Sequence, residues 1–381
     1  MKDRFVHLHN HTEYSFGRGM LRIGNPIGGS SEFLRMVVGE GMPAVAITDR
    51  DNLHGAIEFY QACRKEGIKP IIGCEMSITK DACLTILARD TQGYQNLMAL
   101  SSKAFLRGGG SPRASMELLA EHAKGLIMLS GGLDGPLGQA LSGGDIDGAC
   151  RLAAEYRDML DDGCFFIELM DHGSQKEEHA LKGLLEVHER TEIPLVATND
   201  SRYLHKGDAA AYEVFLCIHA DKRMSDADRP RMGSAEFYFK TAQEMARLFR
   251  FAPESLANTV RIARMCDLEI PMDQPQLPDF PVPDGFTHDP YLNHLCRRGL
   301  ERLGLADGGQ YARRLDVELG IIGNAGISSF FLIVWDLIRY AKEHAIPVGP
   351  GRGSSGGSLV AYVLGITAVD PLRYGDRKSV V

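Results

Sequence analysis

Val6-His7-Leu8-His9-Asn10-His11-Thr12, followed by Glu13-Tyr14-Ser15-Phe16-Gly17-Arg18-Gly19, is an apolar strand pattern that runs straight into imidazoles and a glycine turn. Residues two apart on a strand share a face, so His9 and His11 can aim their rings at one ion, with His7 one step deeper on the same face. Imidazole is the commonest metal ligand, and the spacing suits a binuclear-type site. A strand end carrying ordinary polar histidines is the other reading of the same residues. The choice between them rests on the chain downstream.

There, short β-type runs alternate with helical ones, at 43–48, 70–78, 84–88, 126–130, 164–169 and 194–198. With the first strand they make about seven strand-then-helix units, the pattern of a parallel β/α barrel. Amphipathic segments lie between them, such as 56–63, stopped at Gly67. Polar residues collect where the strands finish: His9 and His11, Asp49 and Arg50, Glu75, Asp171 and His172, Asn199 and Asp200. In a β/α barrel those ends share one rim, where sites are built. Singly, Asp49 or Asp171 reads better as a helix cap or surface charge, whereas the joint placement reads as a site. Asp145 and Asp147 look like a carboxylate pair for two-metal chemistry, but they open a helical run, as N-cap and first-turn charge.

The chain has 381 residues, 44% hydrophobic and 24% charged, giving room for about two domains. A formal charge of -8 excludes a global basic field, so any nucleic-acid contact must be local or lie outside this piece. Eight cysteines without a Cys-x-x-Cys pair read as reduced cytosolic thiols. No run approaches the roughly 18 apolar residues of a membrane span, so a soluble, cytoplasmic protein without a membrane partner is expected.

Helical patterning over 241–270 gives way to a proline-rich interval, from Pro271 to Gly285, that marks a domain boundary. Asp289-Pro290 then reads as N-cap and first-turn proline of a helix facing Leu292, Leu295, Cys296 and Leu303 inward. The run 331–340 holds the only tryptophan, Trp335, and is apolar enough for a buried helix. Ile346-Pro347-Val348-Gly349-Pro350-Gly351-Arg352-Gly353-Ser354-Ser355-Gly356-Gly357-Ser358 follows, and then a helical start at Leu359. A strand, a glycine loop with Arg and Ser, and a helix start together make an anion cradle of backbone N–H groups, hydroxyls and a guanidinium fork. It lacks the Gly-Lys-Ser/Thr ending of a P-loop. A flexible glycine linker is the alternative.

His9-x-His11-Thr12, Ala46-Ile47-Thr48-Asp49, Pro70-Ile71-Ile72-Gly73-Cys74-Glu75, Ala197-Thr198-Asn199-Asp200 and Gly349-Pro350-Gly351-Arg352-Gly353-Ser354 together resemble the N-terminal part of bacterial replicative DNA polymerase III alpha subunits, the C-family polymerases. The resemblance covers nearly the whole chain. It implies an α/β fold: a PHP (polymerase and histidinol phosphatase) domain over 1–270, a distorted (β/α)7 barrel, and then the opening part of a polymerase palm over 271–375. It further implies DNA-directed DNA polymerase activity in DNA replication, with Gly351, Arg352, Gly353, Ser354 and Ser355 binding the nucleotide triphosphate. Primer-template DNA and deoxynucleoside triphosphates would be substrates, Mg2+ the palm cofactor and other replisome subunits the partners. Residues 376–381 read as translated adapter sequence, a non-native tail. The palm carboxylates are then missing, so no catalytic residue is assigned here and the fragment alone is expected to be inactive.

Of the metal ligands that this resemblance implies for an active PHP domain, His9, His11, Glu75 and Asp200 remain. Arg18 stands for an Asp, Arg50 for a His, Cys83 for a His, Gly132 for a Cys and Arg202 for a His. An arginine cannot coordinate a cation and stays protonated, so fixed guanidinium charge is expected to replace metal charge and leave a salt-bridged, structural barrel. Three functions stay open: a piece of a DNA polymerase, a metal-dependent phosphoesterase or 3′-5′ exonuclease, and a non-catalytic barrel that buttresses the palm or docks replisome subunits.

Overall fold

The apolar runs of the first half become six strands: β1 (Ala44–Ile47), β2 (Lys69–Ser77), β3 (Cys83–Ala88), β4 (Leu126–Leu129), β5 (Phe165–Leu169) and β6 (Leu195–Ala197), hydrogen-bonded in that order. The computed structural model describes residues 5–24, 29–109, 111–272, 277–306 and 309–375. It divides the chain into two compact units, Met1–Ile270 and Pro271–Val381. The expected tail, 376–381, lies outside the described residues.

The sheet of the first unit is mixed. β1 and β2 are parallel, as are β4, β5 and β6, but β3 runs antiparallel to both its neighbours. An all-parallel barrel is therefore corrected at β3. Ile78 N–H donates to Ala82 O at 2.8 Å, closing a turn over 78–82. A parallel crossover needs about a dozen residues or more, so so short a link permits only a hairpin.

The His-rich stretch supplies the seventh stave without being a regular strand. Ala46 N–H donates to His7 O and Thr48 N–H to Asn10 O, each at 2.9 Å, while His11 N–H donates to Ser201 O at 2.8 Å. The stretch thus lies between β1 and the chain leaving β6. Val6 and Leu8 pack in the same cluster as Ala46, Ile71, Leu87, Phe166 and Val196. Two-residue steps along those strands lead from this apolar floor up to Glu75, Thr85, Glu168 and Thr198. The Pro253–Met265 helix contributes Val260, Ile262 and Ala263 to the same cluster. Helix starts follow local rules: Asp145 caps Ile146–Met159 by accepting Gly148 N–H at 2.7 Å, and Ser174 with Glu177 forms a capping box on Gln175–Thr191.

In the second unit, helices His288–Arg302, Gly309–Asn324, Ser328–Glu343 and Leu359–Val363 surround a small core including Leu292, Cys296, Leu300, Leu315, Leu332 and Val360. Gly299 lets two of them touch, because a Cβ there would meet Val363 O at 2.2 Å. Four sequence expectations change here, the first being that Leu303, expected to face inward, is the exposed C-cap of His288–Arg302. Thr287 is the N-cap, so Asp289 falls in the first turn. No strand forms over 346–348, and Ile346 is exposed. Ser328–Glu343 buries only Ser328, Ser329 and Leu332, leaving Leu337 and Tyr340 exposed, because its apolar residues spread around the helix while one side is packed. Among the described residues no single helix is long and apolar enough to cross a membrane.

Candidate functional site

The break in alternation places the imidazoles. Leu8 faces the floor, yet its neighbour His9 also turns inward, with Nδ1 2.9 Å from Glu168 Oε1 and 3.1 Å from Thr85 Oγ1. His7 is thereby excluded: its ring packs on Phe239 with centroids 4.0 Å apart, and Nε2 lies 2.7 Å from Lys240 O. Burial drives the His7 pKa down to about 4, so it is a neutral core histidine rather than a third imidazole of the site. Gly19 holds the stretch from above, since a Cβ there would sit 2.4 Å from the His11 carbonyl carbon.

His9, His11, Glu75 and Asp200 do converge. His11 Nε2 lies 3.0 Å from Asp200 Oδ1 and 3.6 Å from Glu75 Oε2, and His9 Nε2 is 3.9 Å from an oxygen of each carboxylate. The arginines expected on the rim are the carboxylates' main partners. Arg18 reaches both Glu75 oxygens, at 3.2 and 3.1 Å, and Arg50 Nη1 lies 2.8 Å from Oε2. Arg202 grips Asp200 Oδ2 through Nε at 3.0 Å and Nη2 at 2.5 Å. Asp49 is a lashing: it accepts Thr12 N–H, Thr12 Oγ1–H and Ser15 Oγ–H. Asp171 accepts Gly173 N–H in a turn, and His172 is held between Glu177 and the Asn199 carbonyl.

The electrostatics follow from these contacts. Burial alone would raise Glu75, but Arg18, His11 and Arg50 bring its pKa down to about 2. Asp200, equally buried, is held well below the carboxylate range by Arg202 and His11. Burial opposes a charge on His9, yet Glu168, with Asp200 and Glu75, lifts it to about 9. His11 stays below its ordinary value because its burial outweighs Asp200. Burial and Glu75 push the Cys83 thiol up to about 12, which disfavours the thiolate a metal would need. Gly132 offers no side chain and lies in the short turn Gly132–Asp134.

A binuclear metal centre does not fit these residues, because guanidinium groups take both Glu75 oxygens and one of Asp200. Among the described residues one group of three is close enough to share an ion, His9, His11 and Glu75, whose ligand atoms lie within 4.8 Å of one another. His9 Nε2 is buried without a hydrogen-bond partner, and His11 Nε2 and Asp200 Oδ1, 3.0 Å apart, have no partner besides each other, so donors for at most one ion persist. A cavity of about 230 Å³ opens beside them, lined also by Asp134, His172, Arg202 and Phe237.

Glu168 was not foreseen. It is fully buried and accepts from Gly131 N–H, Thr85 Oγ1 and Thr198 Oγ1 while pairing with His9. The available signal was one carboxylate inside the apolar strand Phe165-Phe166-Ile167-Glu168-Leu169.

In the second unit, the glycine loop's residues Arg352, Ser354 and Ser355 are exposed, and Ser355 Oγ–H donates to Arg352 O. The N–H groups of Leu359 and Val360 donate instead to Glu318.

Residues 7–172, which carry the His-x-His stave and Glu75, match the family described as PHP domain. Residues 290–376 match the family described as bacterial DNA polymerase III alpha NTPase domain. The chain is similar to bacterial DNA polymerase III alpha subunits over about a third of their length. It is 41% identical over 386 residues to DNA polymerase III subunit alpha of Treponema pallidum, covering 97% of this chain and 32% of that protein. The subunit of Pseudomonas fluorescens is 39% identical over 394 residues, covering 98% and 33%, and that of Escherichia coli K12 39% over 389 residues, covering 97% and 33%. The chain therefore spans about a third of the length of these relatives. A solved structure, provisionally assigned as a metal-dependent phosphoesterase from Bifidobacterium adolescentis, aligns at 16% identity and TM-score 0.31 over 51% of this chain and 86% of that one, too loosely to argue from.

Proposed function

We propose that this chain is the N-terminal portion of a DNA-directed DNA polymerase acting in replication, with a PHP barrel whose site is structural. The observation that carries the polymerase reading is similarity to alpha subunits across 97% of the chain. In this reading residues 271–375 open the palm. Gly351, Arg352, Gly353, Ser354 and Ser355 contact the triphosphate of the incoming nucleotide, and Mg2+ held by carboxylates elsewhere in the whole protein supplies charge for nucleotidyl transfer. The partners are primer-template DNA, deoxynucleoside triphosphates and other replisome subunits, in the cytoplasm. A primer-extension titration of the whole protein tests the loop. Arg352→Ala should lose about 1.5–3 kcal/mol in nucleotide efficiency, the scale of a hydrogen bond to a charged group; an unchanged efficiency refutes the contact.

Residues 1–381 alone should not extend a primer. Among the described residues of the second unit, no group of three or more His, Cys, Asp or Glu side chains converges as a metal site would require. Template-dependent extension by this chain contradicts the proposal.

For the barrel, the guanidinium pairs of Glu75 and Asp200 support a metal-free, non-hydrolytic role. A hydrolytic site needs ligated metal to generate a nucleophile from water near neutral pH. The second reading, a single-ion phosphoesterase, is favoured by the buried, unpartnered Nε2 of His9 beside His11 and Glu75. Metal-dependent hydrolysis of single-stranded DNA 3′ ends, abolished by Asp200→Ala, would select it.

A further inference from the structure

The glycine loop is pinned at both ends, and its middle, Gly353 to Ser355, is the exposed part of a 3-10 turn over Gly353–Gly357. At the entry, Ala368 N–H donates to Pro350 O at 2.8 Å, and Gly351, at φ +141, packs so that a Cβ would meet Thr367 Cγ2 at 3.3 Å. At the exit, Arg314 and Glu318, one turn apart on Gly309–Asn324, grip four consecutive residues. Arg314 Nη2–H donates to Gly357 O at 3.1 Å. Glu318 Oε2 accepts Ser358 Oγ–H at 2.9 Å and Val360 N–H at 3.0 Å. Its Oε1 accepts Leu359 N–H at 3.0 Å and Arg314 Nε–H at 2.6 Å. Glu318 is 6% exposed.

With four donors on its two oxygens, this carboxylate has little capacity left to bind a metal or act as a base. It satisfies N–H groups that every helix leaves open at its start, and the positive end of the backbone dipoles favours its charge. The start of Leu359–Val363 is thus already filled by an internal anion. An incoming phosphate can meet only the exposed turn, where Arg352 and Ser354 stand.

We propose that Glu318, locked by Arg314, is a positioning residue that fixes the exit of the Gly351–Ser358 loop, so that phosphate capture falls to Arg352 and Ser354 rather than to the helix start. This rests on the triphosphate reading for its ligand, but not for the loop geometry.

The test uses the 381-residue chain. Hydrogen exchange at Leu359 and Val360 and tryptic nicking after Arg352 read the loop. Protection from that nick by an added deoxynucleoside triphosphate reads binding. Glu318→Gln keeps the shape but replaces one acceptor oxygen with an NH2 that faces donors. It should speed exchange and nicking about tenfold and raise the half-protecting nucleotide concentration by a similar factor, matching loss of one charge-assisted contact. Arg314→Lys, which keeps the charge but loses the fork, should shift both in the same direction by less, and serves if the first variant does not fold. Trp335 emission reports that the second unit is folded. A role in stability alone would lower the unfolding midpoint and leave the half-protecting concentration unchanged, overturning the proposal. So would equal exchange and nicking in variant and wild type. If the triphosphate protects neither protein while the variant still nicks faster, the triphosphate reading fails and the positioning of the loop stands.

Discussion

Arg202 and Asp200 show what a buried guanidinium does to the carboxylate beside it. An aspartate as buried as Asp200 is costly unless paired, and the guanidinium two residues along supplies that pair within the same turn of chain. Removing one partner of a buried ion pair leaves the other charge uncompensated. Arg202→Ala should therefore destabilise the first unit by about 3–5 kcal/mol in urea unfolding. A loss below about 1 kcal/mol, as for a surface pair, would show that Asp200 is solvated or neutral. The arginines' pairing with Glu75 and Asp200 was legible in the sequence because the arginines follow strand ends on the same rim as those carboxylates. His7 and Glu168 were not. Alternation predicted His7 inside, but the stave slips by one between Leu8 and His9, and that slip makes the buried Glu168 the partner of His9. A two-residue period carries no information about where a strand ceases to be regular.

At the scale of elements, Gln175–Thr191 begins with a carboxylate doing two tasks. Glu177 completes the capping box and lies 2.5 Å from His172 Nδ1. Burial would raise its pKa, but His172 and Ser174 bring it from 4.5 down to about 2. A carboxyl depressed in the folded state stabilises fully above its unfolded pKa and loses that contribution as pH falls through the folded one. Stability should thus fall between about pH 4.5 and pH 2, and Glu177→Gln should flatten that slope in denaturant melts at stepped pH; an identical slope would remove Glu177 from the balance. In the second unit, Gly299→Ala should cost about 1–3 kcal/mol through overpacking against the Val363 carbonyl, read by Trp335 fluorescence, whereas a neutral result would mean that the two helices separate freely. The strands, and helices such as Ala56–Lys65, Ile146–Met159 and Pro253–Met265, were legible from runs and caps. The reversal of β3 needed attention to the residues available between Ser77 and Cys83, and Glu318 gave no signal in the sequence because its partners lie about forty residues away.

At the scale of the whole molecule, the motifs carried more than the composition did. A net charge of -8 says nothing of a polymerase, while five short motifs spread from His9 to Ser354 pointed to one family, and alpha subunits match across 97% of the chain. The account of the first unit is that a barrel architecture suited to metals holds its carboxylates with arginines instead. Elemental analysis of the purified chain, after equilibration with zinc or manganese and removal of loosely bound ions, tests this most directly. The account predicts well under one metal ion per chain, unchanged by His9→Ala. Near-stoichiometric metal that disappears in His9→Ala or Glu75→Ala would contradict it.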